Sequence, residues 1–213
     1  MNIAIVGATG NVGRKLIEVL EKKNFPLTEA YLVASPNSAG KKINFLGKEH
    51  IVINLEEFDF SKVKIAFFAA GSAIAEKWAP IAAEKTIVID NSKFFRKDPE
   101  IPLIVPEVNS KELPKFKNKN IIANANCSVI PIVVALKPLH DLYNVKRIVA
   151  STYQSVSGAG KAGMDELISQ TKEVLENKNV KSKNFTKQIA FNAIPHIDSF
   201  LENGSTKEEQ KNH

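Results

Sequence analysis

Apolar positions along the first two-thirds of the chain follow two different periods. Short continuous apolar runs, typical of strands buried in a parallel sheet, predict strands at 2–6, 31–34, 65–69, 87–89 and 121–123. Apolar residues at helical spacing predict helices at 12–23, 74–82 and 129–143. Strands that alternate with helices predict an α/β fold with a Rossmann-like, doubly wound parallel sheet.

The pattern loosens after Asn91 into a proline-rich stretch. Two apolar runs on either side of Gly47 predict a small hairpin, and residues 148–154 predict a longer, more polar strand. We predict a boundary near residue 125, which divides the chain into a domain at 1–125 and a second, incomplete α+β domain at 126–213.

Composition narrows the classes of function. An apolar content of 44% with 24% charged residues is ordinary for a globular protein, and no apolar run is long enough to span a membrane. The net charge of +6 comes from dispersed lysines, so we expect no nucleic-acid partner. The chain enters a strand directly after Met1 without a basic head and cleavage site, so we expect a cytoplasmic protein with no membrane partner.

A glycine-rich segment, Gly7-Ala8-Thr9-Gly10-Asn11-Val12-Gly13, lies between the first predicted strand and helix. Glycines there allow a tight turn and a close approach of the backbone to a pyrophosphate, which the amides of a helix N-terminus then bind. The strand–loop–helix context favours a dinucleotide site over a purely structural turn.

The segment after the second predicted strand bears on the choice of cofactor. Residues 30–48 contain no carboxylate that would bind a ribose 2′-hydroxyl and repel a 2′-phosphate. They do contain the donors Ser35, Asn37, Ser38, Lys41 and Lys42, which favour NADP over NAD. A hydrophilic loop without any ligand is the alternative, and NAD stays open.

Cys127 is the single cysteine, which rules out an internal disulfide and a cysteine-rich metal site, and we expect no metal. It lies between a predicted strand end and a helix start, where free amides and the helix dipole stabilise a thiolate. The alternative is an inert, buried cysteine. A second polar loop, 151–163, carries Gln154, which is suited to orient the group that the thiol attacks; a plain surface loop is the alternative.

Taken in order, these segments resemble the aspartate-β-semialdehyde dehydrogenase family over residues 1–211. The resemblance rests on the glycine loop, Ala34-Ser35 with Ser38-Ala39-Gly40-Lys41, Ala70-Gly71-Ser72, Asp90-Asn91-Ser92 with Phe95-Arg96, Pro106-Glu107-Val108-Asn109, the cysteine segment, 151–163, and Phe191-Asn192-Ala193-Ile194-Pro195-His196-Ile197-Asp198. It implies reduction of β-aspartyl phosphate with NADPH to aspartate semialdehyde and phosphate. The product feeds lysine, methionine, threonine and isoleucine synthesis.

The resemblance also implies roles for individual residues. Cys127 would form a thioester with the substrate, and Gln154 would support the reacting group. The expected substrate-binding residues are Arg96, Asn126, Glu208 and Lys211. The expected cofactor-binding residues are Gly7, Thr9, Gly10, Asn11, Val12, Gly13, Ser35, Asn37, Ser38, Gly71, Ser72, Ser157 and Gly158. In the full-length family a homodimer is implied.

Four departures from the family pattern matter. Asn37 stands where many members carry an arginine for the 2′-phosphate, Ala125 replaces a proline, and Ser155 and Ser205 replace an alanine and a tyrosine. The family also continues well beyond His213, with a second arginine and a histidine acid/base. The alternatives are therefore a catalytically inactive remnant that binds nucleotide or dimerises, and the related N-acetyl-glutamyl-phosphate reductase. Because general acid–base catalysis contributes about two to four powers of ten, we expect this chain to turn over at no more than about a hundredth of a complete enzyme's rate.

Overall fold

A computed structural model describes residues 1–211 of the chain and contains a sheet of seven strands. The strands, including a separate antiparallel hairpin (β3 and β4), are β1 (Asn2–Val6), β2 (Glu29–Ala34), β3 (Lys42–Phe45), β4 (Lys48–Ile51), β5 (Ile53–Asn54), β6 (Ile65–Phe68), β7 (Ile87–Asp90), β8 (Leu103–Ile104) and β9 (Ile121–Asn124). The order in the main sheet is β5-β2-β1-β6-β7-β9-β8, and every pair in it is parallel. The predicted α/β fold with a Rossmann-like sheet is therefore confirmed.

Helices connect most of the strands. The α-helices are α1 (Asn11–Lys22), α2 (Ser72–Ala83), α3 (Pro106–Asn109), α4 (Val129–Tyr143), α5 (Gly160–Leu175) and α6 (Lys207–Lys211). The 3₁₀ helices are Pro36–Ser38, Leu55–Glu57, Phe60–Lys62, Phe94–Lys97, Ser110–Asn118 and Val156–Ala159. No described helix combines the length and the apolar character that crossing a membrane requires.

The sheet buries both of its faces. Ala4 and Val6 of β1 belong to one core, which contains the buried alanines of α2 and against which Trp78 packs. Ile3 and Ile5 point to the opposite core, which contains Ile17 of α1. Successive strand residues point to opposite faces, so a strand covered on both sides must be apolar at every position. This explains why the strands appear in the sequence as continuous apolar runs.

Two predicted elements differ from the structure. The predicted strand at 148–154 is wrong, because no described residue pairs with this segment, and Val149 is 82% and Tyr153 99% exposed. A strand needs a neighbour for its backbone donors and acceptors, whatever its own β propensity. The hairpin does form, but β3 pairs with Lys48–Ile51, while Ile53 joins the main sheet in β5.

The contacts divide the chain into two compact units, Met1–Val145 and the part from Lys146 onward. The first unit contains the whole sheet and α1 to α4, and the second contains α5 and α6. The predicted domain boundary near residue 125 stays a prediction, since a boundary of contacts after α4 does not by itself assign that helix to a domain.

A pair of buried polar side chains organises the second unit. Glu166, 8% exposed, accepts hydrogen bonds from the backbone N–H groups of Lys183 (2.9 Å) and Asn184 (2.6 Å) and from the Asn184 side chain (2.7 Å). Gln170, 1% exposed, donates to Glu166 at 2.9 Å and accepts from the N–H of Ile189 at 2.8 Å. These bonds hold an irregular segment against α5 and satisfy its part-buried donors.

The ionisation of Glu166 follows from these contacts. Burial by itself raises the pKa of the carboxyl group, but the hydrogen bonds from Lys183 and Asn184 stabilise the anion more strongly. The pKa of Glu166 therefore lies below its ordinary value. Its contribution to stability is present above the pKa of an unfolded glutamate and is lost as the pH falls through the lower, folded pKa.

We expect Glu166→Ala to lower the free energy of unfolding by about 1–3 kcal/mol, because it removes the acceptor of the part-buried N–H groups of Lys183 and Asn184. Denaturant titration followed by circular dichroism measures the loss, and amide exchange at Lys183 and Asn184 localises it. Glu173→Ala is the matched control, since Glu173 is on the same helix and accepts a hydrogen bond from Ser169 at the surface. The difference between Glu166→Ala and the parent should shrink on acidification; a constant difference would contradict the proposed ionisation.

Candidate functional site

The glycine loop connects β1 to α1 at the carboxyl edge of the sheet. The N–H of Gly7 donates to the carbonyl of Val33 at the end of β2 (2.8 Å), and the N–H of Gly10 donates to the carbonyl of Gly7 (3.0 Å). Gly10 is the N-cap of α1, so the first helical amides follow it directly. The loop thus places the N-terminal end of α1 at the edge where β1 and β2 end, and helix N-termini favour anions.

Two of these glycines are required by packing. Gly7 has φ +88°, and a Cβ there would lie 2.6 Å from the carbonyl oxygen of Ala69. A Cβ on Gly13 would lie 2.2 Å from the carbonyl oxygen of Gly7, because α1 packs directly on the loop. At Gly10 the nearest atom to a Cβ would be the Gly7 oxygen at 3.3 Å, so packing requires glycine less strictly there. Glycine at positions 7 and 13 therefore allows the loop to pack against the backbone that follows β6 and against α1.

Hydroxyl and ammonium donors converge beside this loop. The Ser38 hydroxyl, half-buried after β2, lies 3.4 Å from the Thr9 hydroxyl and 3.4 Å from the Lys41 ammonium. Ser35 and Asn37 are exposed in the same segment. The predicted glycine loop and the predicted segment after β2 are therefore brought together, with a cation and no carboxylate between residues 30 and 48.

Gly71 and Ser72 lie across the point where the strand order reverses. They follow β6, the other neighbour of β1, and begin α2. Gly71 has φ +85°, and a Cβ there would meet nothing within 4 Å, so this turn opens onto free space. In open α/β sheets, ligands bind at such a reversal between two loops at the carboxyl edge. The residues of the first unit therefore fit a dinucleotide.

Cys127 lies in the turn from β9 to α4 and is exposed. Asn126, 8% exposed, shapes this turn, because its side-chain oxygen accepts from the N–H (2.8 Å) and hydroxyl (2.6 Å) of Ser128. The exposure removes the alternative of a buried core cysteine. Whether the thiol is catalytic stays a prediction.

Arg96 comes from the neighbouring strand, through the 3₁₀ helix Phe94–Lys97 that follows β7. Its Nε donates to the carbonyl of Asn124 (2.8 Å) and its Nη2 to the carbonyl of Asn91 (3.3 Å). Because β7 and β9 pair directly, the arginine and the cysteine turn belong to adjacent strand ends. The structure thus places the predicted anion-binding residue at the same edge as the predicted nucleophile.

Several residues around Arg96 were not predicted to have a role. Asp90, fully buried, accepts from the N–H (3.0 Å) and hydroxyl (2.6 Å) of Ser92. Burial raises the pKa of Asp90, while the Ser92 hydrogen bonds and the Arg96 charge oppose this shift. In the sequence, the polar triplet Asp90-Asn91-Ser92 directly after the predicted strand at 87–89 could have indicated a role for these residues. Strand ends of this kind collect functional groups in parallel sheets.

The predicted residues of the second unit are more dispersed. Gln154 lines an open cavity of about 650 Å³, together with Ser155, Val156, Leu167, Ile189, Phe191, Asn192 and Ala193. Ser157 and Gly158 are exposed in the adjoining 3₁₀ helix, and Glu208 is half-buried in α6, but none of these three lines that cavity. Lys211 ends α6, and its side chain lies outside the described residues.

Two family models match the chain. A model described as semialdehyde dehydrogenase, NAD binding domain, matches residues 2–116. A second, described as semialdehyde dehydrogenase, dimerisation domain, matches residues 136–213. The first match covers β1 to β8 and most of the 3₁₀ helix Ser110–Asn118, and ends before β9. It includes every first-unit residue predicted to bind the dinucleotide.

Individual relatives extend this similarity over nearly the whole chain. Aspartate-semialdehyde dehydrogenase 2 of Vibrio cholerae is 54% identical over 211 residues, which are 99% of this chain and 63% of that protein. Aspartate-semialdehyde dehydrogenase of Aquifex aeolicus is 52% identical over 212 residues, 98% of this chain and 62% of that protein. The chain therefore spans less than two-thirds of the length of these relatives.

Solved structures of aspartate-semialdehyde dehydrogenases show the same similarity. A crystal structure of aspartate semialdehyde dehydrogenase II complexed with ASA from Vibrio cholerae has a TM-score of 0.96 at 54% identity, covering 99% of this chain and 63% of that one. A structure of aspartate semialdehyde dehydrogenase with NADP from Candida albicans has a TM-score of 0.51 at 27% identity, covering 68% of this chain and 48% of that one.

Gly13→Ala tests the packing of α1 on the glycine loop. The added methyl group meets the Gly7 carbonyl, so we expect a loss of about 1–3 kcal/mol in unfolding free energy, typical of overpacking, and loss of nucleotide binding. Thermal denaturation and a fluorescence titration with NADPH measure the two effects. Val19→Ala, at an exposed position of the same helix, is the control. Equal behaviour of the two variants would show that the contact is not required.

Proposed function

Because this chain belongs to the aspartate-semialdehyde dehydrogenase family, we propose that it takes part in the reaction of that family, the NADPH-dependent reduction of β-aspartyl phosphate to aspartate semialdehyde and phosphate. Since it spans 63% of the Vibrio cholerae relative, the proposal concerns the part of the site that these residues supply. The observation that carries it is the exposed thiol of Cys127 at the strand edge that also holds Arg96.

The chemistry proposed for Cys127 is nucleophilic catalysis. Its thiolate attacks the acyl carbon of β-aspartyl phosphate, a carbon–sulfur bond forms, and phosphate leaves with the electron pair of the broken carbon–oxygen bond. The resulting thioester is then reduced to the aldehyde, and the thiolate is released. Splitting the displacement in this way replaces one difficult step by two easier ones. The turn at Asn126 keeps the sulfur at the surface, where substrate reaches it.

The remaining residues bind and orient the substrate. Arg96 carries a fixed positive charge next to two strand ends, which suits a phosphate group. We assign Asn126 to the same subsite, Gln154 to the reacting carbonyl group, and Glu208 and Lys211 to the amino group and phosphate of the substrate. The assignments in the second unit rest on the family resemblance together with the exposure of Gln154 in an open cavity.

The cofactor, when bound, supplies the hydride that reduces the thioester. In the first unit the glycine loop, Ser35, Asn37, Ser38, Gly71 and Ser72 would hold it. The family resemblance by itself also implies a role in cofactor binding for Ser157 and Gly158. We propose NADP as the preferred form. Support comes from the ammonium of Lys41 beside Ser38 and from the absence of carboxylates between residues 30 and 48. A family relative from Candida albicans has been solved with NADP.

We also propose a homodimer as the functional assembly. The support is the match of residues 136–213 to a domain described as a dimerisation domain.

The role of Cys127 is tested by trapping the acyl intermediate. With aspartate semialdehyde and NADP in the absence of phosphate, the parent chain should accumulate an aspartyl group on Cys127, detected by peptide mass spectrometry, and release NADPH. Cys127→Ser should do neither, while retaining nucleotide binding. In the parent, the thiol should also alkylate near neutral pH faster than an equally exposed free cysteine. Alkylation only after unfolding, or acylation elsewhere, would refute the assignment.

Cofactor preference is tested by titrating the chain with NADPH and NADH. We expect NADPH to bind more tightly, and Lys41→Ala to reduce that preference about three- to tenfold, as expected for one exposed hydrogen bond to a charged group. Lys48→Ala, an exposed lysine of the neighbouring hairpin, is the control. Equal affinities of the parent for both nucleotides would overturn the proposed preference.

A further inference from the structure

Two hydrogen bonds connect Arg96 to the ends of β7 and β9, and a third joins those two strand ends to each other. Arg96 donates to the backbone carbonyls of Asn124 (2.8 Å) and Asn91 (3.3 Å). The Asn124 side-chain amide donates to the Asn91 side-chain oxygen at 2.6 Å. Each asparagine therefore acts twice, since its backbone accepts from the guanidinium and its side chain binds the other asparagine. Together they close a ring of contacts across two adjacent parallel strands.

The segment that carries Arg96 is anchored independently. Asp90 is fully buried and accepts from the backbone and hydroxyl of Ser92, and the Ser92 hydroxyl accepts from the N–H of Phe94 (3.1 Å). This chain of bonds determines how the backbone leaves β7 and enters the 3₁₀ helix of Arg96. The backbone position is thus set by Asp90 and Ser92, and the direction of the guanidinium depends on the two asparagines.

We infer that Asn91 and Asn124 are positioning residues, whose side-chain pair locks the two carbonyls that orient the Arg96 guanidinium. Both of these acceptors are uncharged backbone carbonyls, so the two bonds direct N–H groups of the arginine without themselves neutralising its charge. A carboxylate in place of these carbonyls would direct the N–H groups and also neutralise the charge, and would weaken the arginine as a ligand for an anion. These two bonds are therefore compatible with an arginine that binds a phosphate.

The same pair acts near the thiol. Asn124 is the last residue of β9, and the buried Ala125 and Asn126 lead from it to Cys127. A displacement of Asn124 would therefore disturb both the guanidinium and the start of the cysteine turn. Positioning errors of this kind are costly, because catalysis requires reacting groups to be held in register. The inference rests on the proposed function only for the identity of the anion.

The orientation of Arg96 is tested first, without any ligand. Hydrogen exchange of the Arg96 Nε–H is followed by nitrogen-15 NMR, with the signal assigned by its absence in Arg96→Lys. We expect Asn91→Ala and Asn124→Ala each to speed exchange about three- to tenfold, the effect of one lost hydrogen bond. The double variant should add little, because both single changes break the same bond. Unchanged exchange in the single variants would overturn the inference.

Two further variants separate positioning from general damage. Asn91→Asp keeps the acceptor oxygen for Asn124, so the Nε–H should stay protected although the residue has changed. Asn44→Ala, at an exposed position of β3, should leave exchange unaltered. If Asn91→Asp speeds exchange of the Arg96 Nε–H as much as Asn91→Ala does, the hydrogen bond between the Asn91 and Asn124 side chains does not orient the guanidinium.

Binding of inorganic phosphate, titrated by phosphorus-31 NMR, then tests the consequence. Asn91→Ala should weaken it about three- to tenfold in the parent, as expected for one hydrogen bond, and should have no further effect in the Arg96→Lys background. If Arg96→Lys leaves phosphate binding unchanged, the proposed phosphate role of Arg96 fails, while the exchange measurement still decides the positioning role.

Discussion

Parallel pairing of β1, β6, β7 and β9 is the constraint on which the first unit depends. Because the strands run in one direction, their carboxyl ends share one edge, and the loop that follows each strand begins there. The glycine loop follows β1, Gly71 follows β6, the Arg96 segment follows β7 and Cys127 follows β9. Residues far apart in the sequence are thereby collected at one edge, and the buried apolar strands below provide a rigid support for them.

Much of this unit could be predicted from the sequence, because both-sided burial produces continuous apolar runs that are easy to recognise. The helix at 129–143 was predicted with its observed bounds, and β1 was as well. The two-residue strands β5 and β8 were not predicted, since so short a segment carries no period and is defined only by its partner. The predicted strand at 148–154 failed for the converse reason, as its local preference is not matched by any neighbouring strand among the described residues.

The candidate site likewise contains residues that the sequence predicts and residues that it does not. The glycine loop and the single cysteine could be recognised from the sequence, because they stand between predicted strands and helices. The bonds of Asn91, Glu166 and Gln170 could not be read in the same way, since their partners lie in distant segments. Glu166 and Asp90 illustrate the difficulty. Both are buried carboxylates, yet hydrogen bonds from a separate segment lower the pKa of Glu166, whereas burial outweighs the local Ser92 bonds and raises that of Asp90.

The position of Trp78 has a spectroscopic consequence. It is the single tryptophan of the chain, and it packs against the α2-side core of the first unit. Tryptophan emission therefore reports on the packing of α2 in the first unit. Circular dichroism senses the helices of both units. Overlaying the two signals from a single sample would reveal whether the units unfold in one transition or in two.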